Sequence, residues 1–275
     1  MRDYDFIVVG GGPAGMFFAY ETMQRNPEAT VLIIERGKKV AERMCPAQEK
    51  GKCIKCKICN IANGSSGAGA FSDGKMSLFN EDDTDFYVGG NLHHYVGVEE
   101  TKKLIKYTDN VYLSFGATTE VKGLGNPEYT KDLKEKSKKA GLNLVSIPIR
   151  HLGTDWAHIV YQKIEKYLED NNVKTLFDTE VTDLIISNGS VQGVKYRYPG
   201  AEATTEVMGK KVILAVGRAG SDWLEAMCRK HNIASFPAPI DIGVRYELPD
   251  AVMQEVNENL YEGKFIGFPK PSKDK

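Results

Sequence analysis

Apolar residues recur along this chain in two rhythms. Short unbroken runs, "DFIVVG" (5–10), "TVLIIE" (30–35) and "KVILAVG" (211–217), are apolar almost throughout and predict strands buried on both faces. Elsewhere the apolar positions fall at helical spacing. Residues 14–25 carry Ala14, Met16, Phe17, Phe18, Tyr20 and Met23 and stop at Asn26-Pro27, and "DWAHIVYQKIEKYLED" (155–170) is amphipathic. Further helices are predicted over 98–107, 130–140 and 220–231, and further strands over 142–149, 173–177, 180–186 and 191–198. Asn188-Gly189 has the signature of a two-residue hairpin turn that needs φ > 0. Buried strands separated by helices imply an α/β fold with a parallel sheet covered on both faces.

The turn after the first strand carries chemistry. Gly10, Gly12 and Gly15 form G-x-G-x-x-G, with Pro13 and Ala14 inside the spacing and a helix directly after it. Glycines so placed allow a tight turn, close approach of a pyrophosphate and close packing of helix on strand. The helix N-terminus then offers N–H groups and a positive dipole end to phosphate. Glu35, 20 residues past Gly15 and at the end of the second strand, is placed to accept hydrogen bonds from ribose hydroxyls. A carboxylate there repels a 2′-phosphate and disfavours NADP, which the neighbouring Arg36 softens. Strand, glycines, helix, strand and acid in that order predict a bound dinucleotide. A single glycine triplet favours FAD over NAD.

Composition removes other classes. A net charge of −1 and a hydrophobic share of 41% leave no basic excess for nucleic acid or anionic membrane. No apolar run is long enough to span a bilayer. "FIVVGGGPAGMFFAY" follows Asp3 and Asp5 and is cut by glycines and a proline, unlike a secretory signal. Five cysteines, four of them crowded together, suit a reducing compartment, so a cytoplasmic location is expected.

"GSSGAGAFSDGK" (64–75), "GGNLHHYVG" (89–97) and "PIRHLGTD" (148–155) resemble the poorly characterised FAD-dependent dehydrogenases, also labelled NAD- or FAD-utilising dehydrogenases. They are flavoproteins of the two-dinucleotide-binding type. The resemblance covers nearly the whole chain. It implies a Rossmann-like FAD/NAD(P)-binding domain (1–88 and 150–232) with an inserted smaller α+β substrate domain (89–149 and 233–275), and a chain lacking its C-terminal portion. "VILAVGR" (212–218), with Ala215 and Gly217, looks like that type's second conserved strand, and "TEV" (179–181) would bring backbone atoms of Val181 to the adenine. The resemblance implies no known substrate.

In "GAGAFSDGK", Gly67, Gly69 and Gly74 free the backbone to approach a flat ring or a phosphate, while Ser72, Asp73 and Lys75 offer a hydroxyl, a carboxylate and a cation. The loop follows the second strand, at the carboxyl ends where ligands bind in such sheets. Lys75 is the candidate cation beside the flavin's electron-rich pyrimidine side, and His151 the candidate proton donor or acceptor.

Cys45, Cys53, Cys56 and Cys59 fall within fifteen residues, interleaved with Lys50, Lys52, Lys55 and Lys57. C-x₂-C-x₂-C with a fourth thiol suits an iron–sulfur centre. Zinc and a flavin-linked dithiol are the alternatives. The expected function is an FAD-dependent oxidoreductase acting on a small-molecule substrate, with the cysteine-bound centre as relay and NAD(P)H or a redox protein as partner. The alternative is a non-catalytic dinucleotide-binding protein with a structural zinc.

Overall fold

A computed structural model of the chain describes residues 3–267, apart from 72–73, 80–87, 89, 91, 238–239 and 241 and the side chain of Thr154. In order, the elements are β1 (Tyr4–Val9), α1 (Pro13–Arg25), β2 (Val31–Ile34), α2 (Ala47–Lys50), β3 (Lys75–Ser77), α3 (His93–Val96), α4 (Val98–Ser114), α5 (Pro127–Lys139) and β4 (Leu142–Val145). Then follow β5 (Ile149–His151), α6 (Thr154–Asp170), β6 (Val173–Leu176), β7 (Glu180–Ser187), β8 (Ser190–Arg197), β9 (Thr205–Leu214), α7 (Ser221–Lys230), α8 (Asp250–Leu260) and β10 (Lys264–Gly267). They group into two compact units, Met1–Gly74 with Gly153–Pro239 and Lys75–Leu152 with Ile240–Lys275.

The first unit is built on a six-stranded sheet of order β6-β2-β1-β9-β8-β7. β1 runs parallel to both β2 and β9, and β2 runs parallel to β6. All four residues of β2 are buried, as a strand between parallel neighbours requires. One sheet face holds Ile7, Val9, Leu32, Ile34, Leu184, Val194 and Met227 in a continuous cluster. Along α6, Ala157, Val160, Tyr161, Ile164 and Leu168 are buried at helical spacing, and this helix packs on α1. Gly12 caps α1 and Pro13 opens it, a residue whose missing N–H costs nothing there.

The expected parallel sheet is present in the β6-β2-β1-β9 half, and an antiparallel extension joins it at β9. β7, β8 and β9 form an antiparallel meander. Asn188 and Gly189 both take positive φ, +51° and +70°, as the hairpin signature predicts. So short a link cannot carry a parallel crossover. β9 serves both halves: Thr205–Met208 pair antiparallel with β8, and Gly209–Leu214 pair parallel with β1.

In the second unit the expected strand over 142–149 is two strands in different ladders. β4 pairs with β10, and β5 pairs with β3. Pro148, with no N–H to give a ladder, separates them. α4 runs on to Ser114, and α5 begins at Pro127 because Asn126 Oδ1 accepts from the N–H of Glu128 at 2.9 Å. Buried Arg150 grips Asp109 with two nitrogens, Nη2 lying 2.8 Å from Oδ2. Among the described residues no helix is long and apolar enough to cross a membrane.

Candidate functional site

The three glycines of the first turn are demanded by different things. Gly10 has φ +104°, and a Cβ there would sit 2.4 Å from the carbonyl oxygen of Ala215, at the end of β9. At Gly15 a Cβ would meet the Gly10 carbonyl oxygen at 2.1 Å, so this glycine lets α1 press onto β1. Gly12 is different: its nearest obstacle would be Gly67 Cα at 3.9 Å. The protein itself does not need glycine at 12. The space in front of it does.

Glu35 stands where its spacing puts it, at the end of β2, but its carboxylate is already engaged. Oε2 accepts the N–H of Gly11 at 2.7 Å, and Oε1 accepts those of Gly37 and Gly64, each at 2.9 Å. A carboxylate has about four lone-pair sites, so about one remains for an outside donor. Glu35 therefore pins the glycine turn and the loop before Gly67 to the sheet. Arg36 spans the other way, from Asn63 Oδ1 (2.7 Å) to the carbonyl of Ala219 (3.0 Å).

A residue that sequence reasoning missed organises the same loop. The buried guanidinium of Arg43 donates to the carbonyls of Asn60, Ile61, Ser65 and Gly67 at 2.6–2.9 Å and lies 4.3 Å over the Phe71 ring. Burial lowers it to about 10, against the pull of Glu35 and Glu165, so it stays charged at neutral pH. Its sequence context, "AERMC", carries no motif. Only the coiling of residues 59–71 around it shows the role.

These elements enclose a cavity of about 780 Å³ at the carboxyl ends of β1, β2 and β9, inside the range of small-molecule sites. Gly10, Gly12, Pro13, Ala14, Glu35, Arg36, Gly67, Val181, Ala215 and Gly217 line it, all of them named from the sequence as dinucleotide contacts. Gly15 sits behind the turn, and a Cβ on Gly69 would face the Tyr161 hydroxyl at 3.2 Å. Gly74 has φ +59°, while Ser72 and Asp73 lie outside the described residues. Asn63, Thr179, Arg218 and Trp223 also line the cavity and were not anticipated.

Lys75 and His151, the two candidate catalytic side chains, belong to the second unit and are brought together there. They are direct partners in the β3–β5 pair. Lys75 Nζ lies 2.7 Å from Glu262 Oε2, and the His151 ring packs 5.3 Å from that of Tyr261. Tyr261 has φ +62° and ψ −50°, and Glu262 N–H donates to the Leu260 carbonyl at 2.6 Å. That is a γ-turn of the rare hand, strained for any residue with a Cβ.

The four clustered cysteines are not brought together as ligands. Cys53 and Cys59 are exposed, Cys45 and Cys56 half-buried, and each is a free thiol. Among the described residues no three His, Cys, Asp or Glu side chains stand in metal-holding positions. His158, on α6, packs 4.2 Å from Phe71, with Nε2 buried and without a hydrogen-bond partner. Burial, and after it the Arg43 charge, holds its ring below the usual imidazole value.

No protein-family model matches the sequence. An uncharacterised protein of Clostridium beijerinckii is 26% identical over 265 residues, covering 96% of this chain and 39% of that protein. The chain thus spans about two-fifths of the curated relative it matches. Among solved structures, the 3-ketosteroid-delta4-(5alpha)-dehydrogenase of Rhodococcus jostii RHA1 is 17% identical, with TM-score 0.50, over 82% of this chain and 49% of that one. The glycerol-3-phosphate dehydrogenase of Bacillus halodurans, solved in complex with FAD, is 16% identical with TM-score 0.43, over 83% of this chain and 36% of that one. The likeness is one of fold. The chain has a mixed α/β, Rossmann-like architecture.

Proposed function

We propose that this chain is the FAD-binding part of an FAD-dependent oxidoreductase, a dehydrogenase acting on a small organic molecule. The observation that carries the reading is the cavity in front of Gly12: closed behind by Gly10 and Gly15, open at 12, and set at the carboxyl ends of parallel strands. The residues present fit the cofactor. Backbone at Gly10–Ala14 and the opening turn of α1 would hold the pyrophosphate. The remaining lone pair of Glu35 would take a ribose hydroxyl, with Arg36 beside it and the backbone of Val181 toward the adenine. FAD, when bound, supplies hydride and electron transfer.

Lys75 and His151 are the proposed catalytic pair, a cation to stabilise negative charge and an imidazole to hold or move a proton at Nδ1 or Nε2. The sequence has one glycine triplet, so NAD(P)H would bind without a second such turn, or a redox protein would take its place. Substrate and electron partner belong to the whole protein, of which this chain matches 39% in its relative.

The test is the flavin content of the purified chain, by its visible spectrum and by release and identification of the cofactor, in wild type, Gly12→Val and Gly15→Ala. Gly12→Val is expected to fold but to retain no FAD, melting near FAD-free wild type. Gly15→Ala, overpacked against Gly10, is expected to lose about 1–3 kcal/mol of stability. Full flavin content in Gly12→Val would remove the site.

A further inference from the structure

We propose that Cys45, Cys53, Cys56 and Cys59 bind one thiophilic metal centre as four thiolates, at a site separate from the dinucleotide cavity. The loop that carries them has a fixed neck. Asn60 Nδ2 donates to the Met44 carbonyl at 2.8 Å, and Arg43 reaches back to the carbonyls of Asn60 and Ile61 at 2.9 and 2.8 Å. These bonds tie the residue before Cys45 to the residue after Cys59, so the outermost thiols flank a closed neck. Both are held by their backbone as well, Cys45 O accepting from Gln48 N–H and Cys59 O from the N–H groups of Ala62 and Asn63. Between them, Lys55 takes φ +53° within the Cys53–Cys56 spacing, the kind of turn that folds a C-x₂-C pair back on itself.

What the loop lacks is a core. Residues 45–59 contain no buried side chain, and after α2 ends at Gly51 (φ +68°) residues 52–58 form no helix or strand. A loop with fixed ends and no buried side chain draws little of its order from packing, and a cross-link would supply it. Four thiols in fifteen residues supply the donors for one. The thiols do not yet stand in ligand positions, so binding closes residues 52–58 about the ion, and metal affinity and loop folding are one event.

The charge also suits a metal. Four thiolates on a divalent ion leave a net charge of about −2, and the interleaved Lys50, Lys52, Lys55 and Lys57 offset it. The binding step is a proton exchange with no change of oxidation state: one Zn²⁺ enters, four S–H bonds break, four Zn–S bonds form and four protons leave. An iron–sulfur cluster would use the same four thiolates, with its own iron and sulfide.

The experiment is metal and acid-labile sulfide analysis of the chain purified without oxygen or chelator, in wild type, Cys56→Ser and Cys228→Ser. The expected result is one centre per chain, either zinc without sulfide or iron with matching sulfide. Cys56→Ser is expected to lower metal affinity at least about tenfold, the lower end of what losing even a supporting residue of a metal site costs. Cys228→Ser, on α7, is expected to keep the full complement. Should Cys56→Ser fail to fold, titration of the reduced wild-type chain with Co²⁺ gives a second reading through its thiolate charge-transfer bands. A chain holding neither zinc nor iron and developing no such band overturns the proposal, as does a folded Cys56→Ser that keeps its metal.

Discussion

Lys75 and His151 face each other directly across the β3–β5 ladder, 76 positions apart in the chain. Opposed residues on one face of a ladder are close enough to share charge and proton affinity. If they act as a pair, Lys75→Met and His151→Gln should each slow reduction of bound flavin, and the double variant should fall short of the product of the two. A coupling of about 0.5 kcal/mol or more in that cycle is the expected outcome. Stability should hardly change, because the Lys75–Glu262 ion pair is exposed and worth under about 1 kcal/mol. Strictly multiplicative effects on the rate would separate the two residues.

Tyr261 gives the neighbouring turn an unusual signature. Its ring touches His151 and lies under the Lys122 ammonium at 5.2 Å, yet its backbone adopts a strained positive φ. Glycine adopts that conformation without a Cβ clash. Tyr261→Gly is therefore expected to be more stable than Tyr261→Ala by about 1 kcal/mol, the reverse of the usual order. Thermal melting of the two variants decides it.

Arg43 holds four carbonyls with one side chain. In Arg43→Met those acceptors are left buried and unsatisfied, at about 1–3 kcal/mol apiece where water cannot reach them. The expected loss is about 3 kcal/mol or more, and flavin content should fall with it, because the loop that Arg43 ties down carries Asn63, Gly64 and Gly67 to the cavity wall. Arg43→Lys should recover less than half of the stability, since a point ammonium cannot reproduce the planar fork. Denaturant melts and flavin content measured on the same samples test both statements.

His158 makes the fold acid-sensitive. Its imidazole is held below the ordinary 6.5 by burial, so the unfolded chain binds this proton more tightly than the folded one. Its contribution to stability is intact at neutral pH and falls as pH drops below about 6.5, until pH passes beneath the folded value. His158→Gln should show a smaller drop in melting temperature between pH 7.5 and 5.5 than wild type. An equal drop in both would assign the acid response elsewhere.

The sequence alone was enough to place the glycine turn between the first strand and the first helix, because G-x-G-x-x-G there has a steric meaning: Gly15 is required by the Gly10 carbonyl that the turn itself brings close, and Gly10 by the main chain at the end of the neighbouring strand. Glu35, Arg36 and the Asn188-Gly189 hairpin were legible for the same reason, being local consequences of element ends and of turn chemistry. Tertiary structure decided the rest. That Glu35 spends its oxygens on Gly11, Gly37 and Gly64 depends on a loop nearly 30 residues away. Arg43 carries no motif because a guanidinium bonded to main-chain carbonyls reads the path of the backbone, and side-chain identity leaves no trace of it. The pairing of Lys75 with His151 was equally hidden, since ladder register between distant strands follows from how both are packed and not from either segment's own pattern.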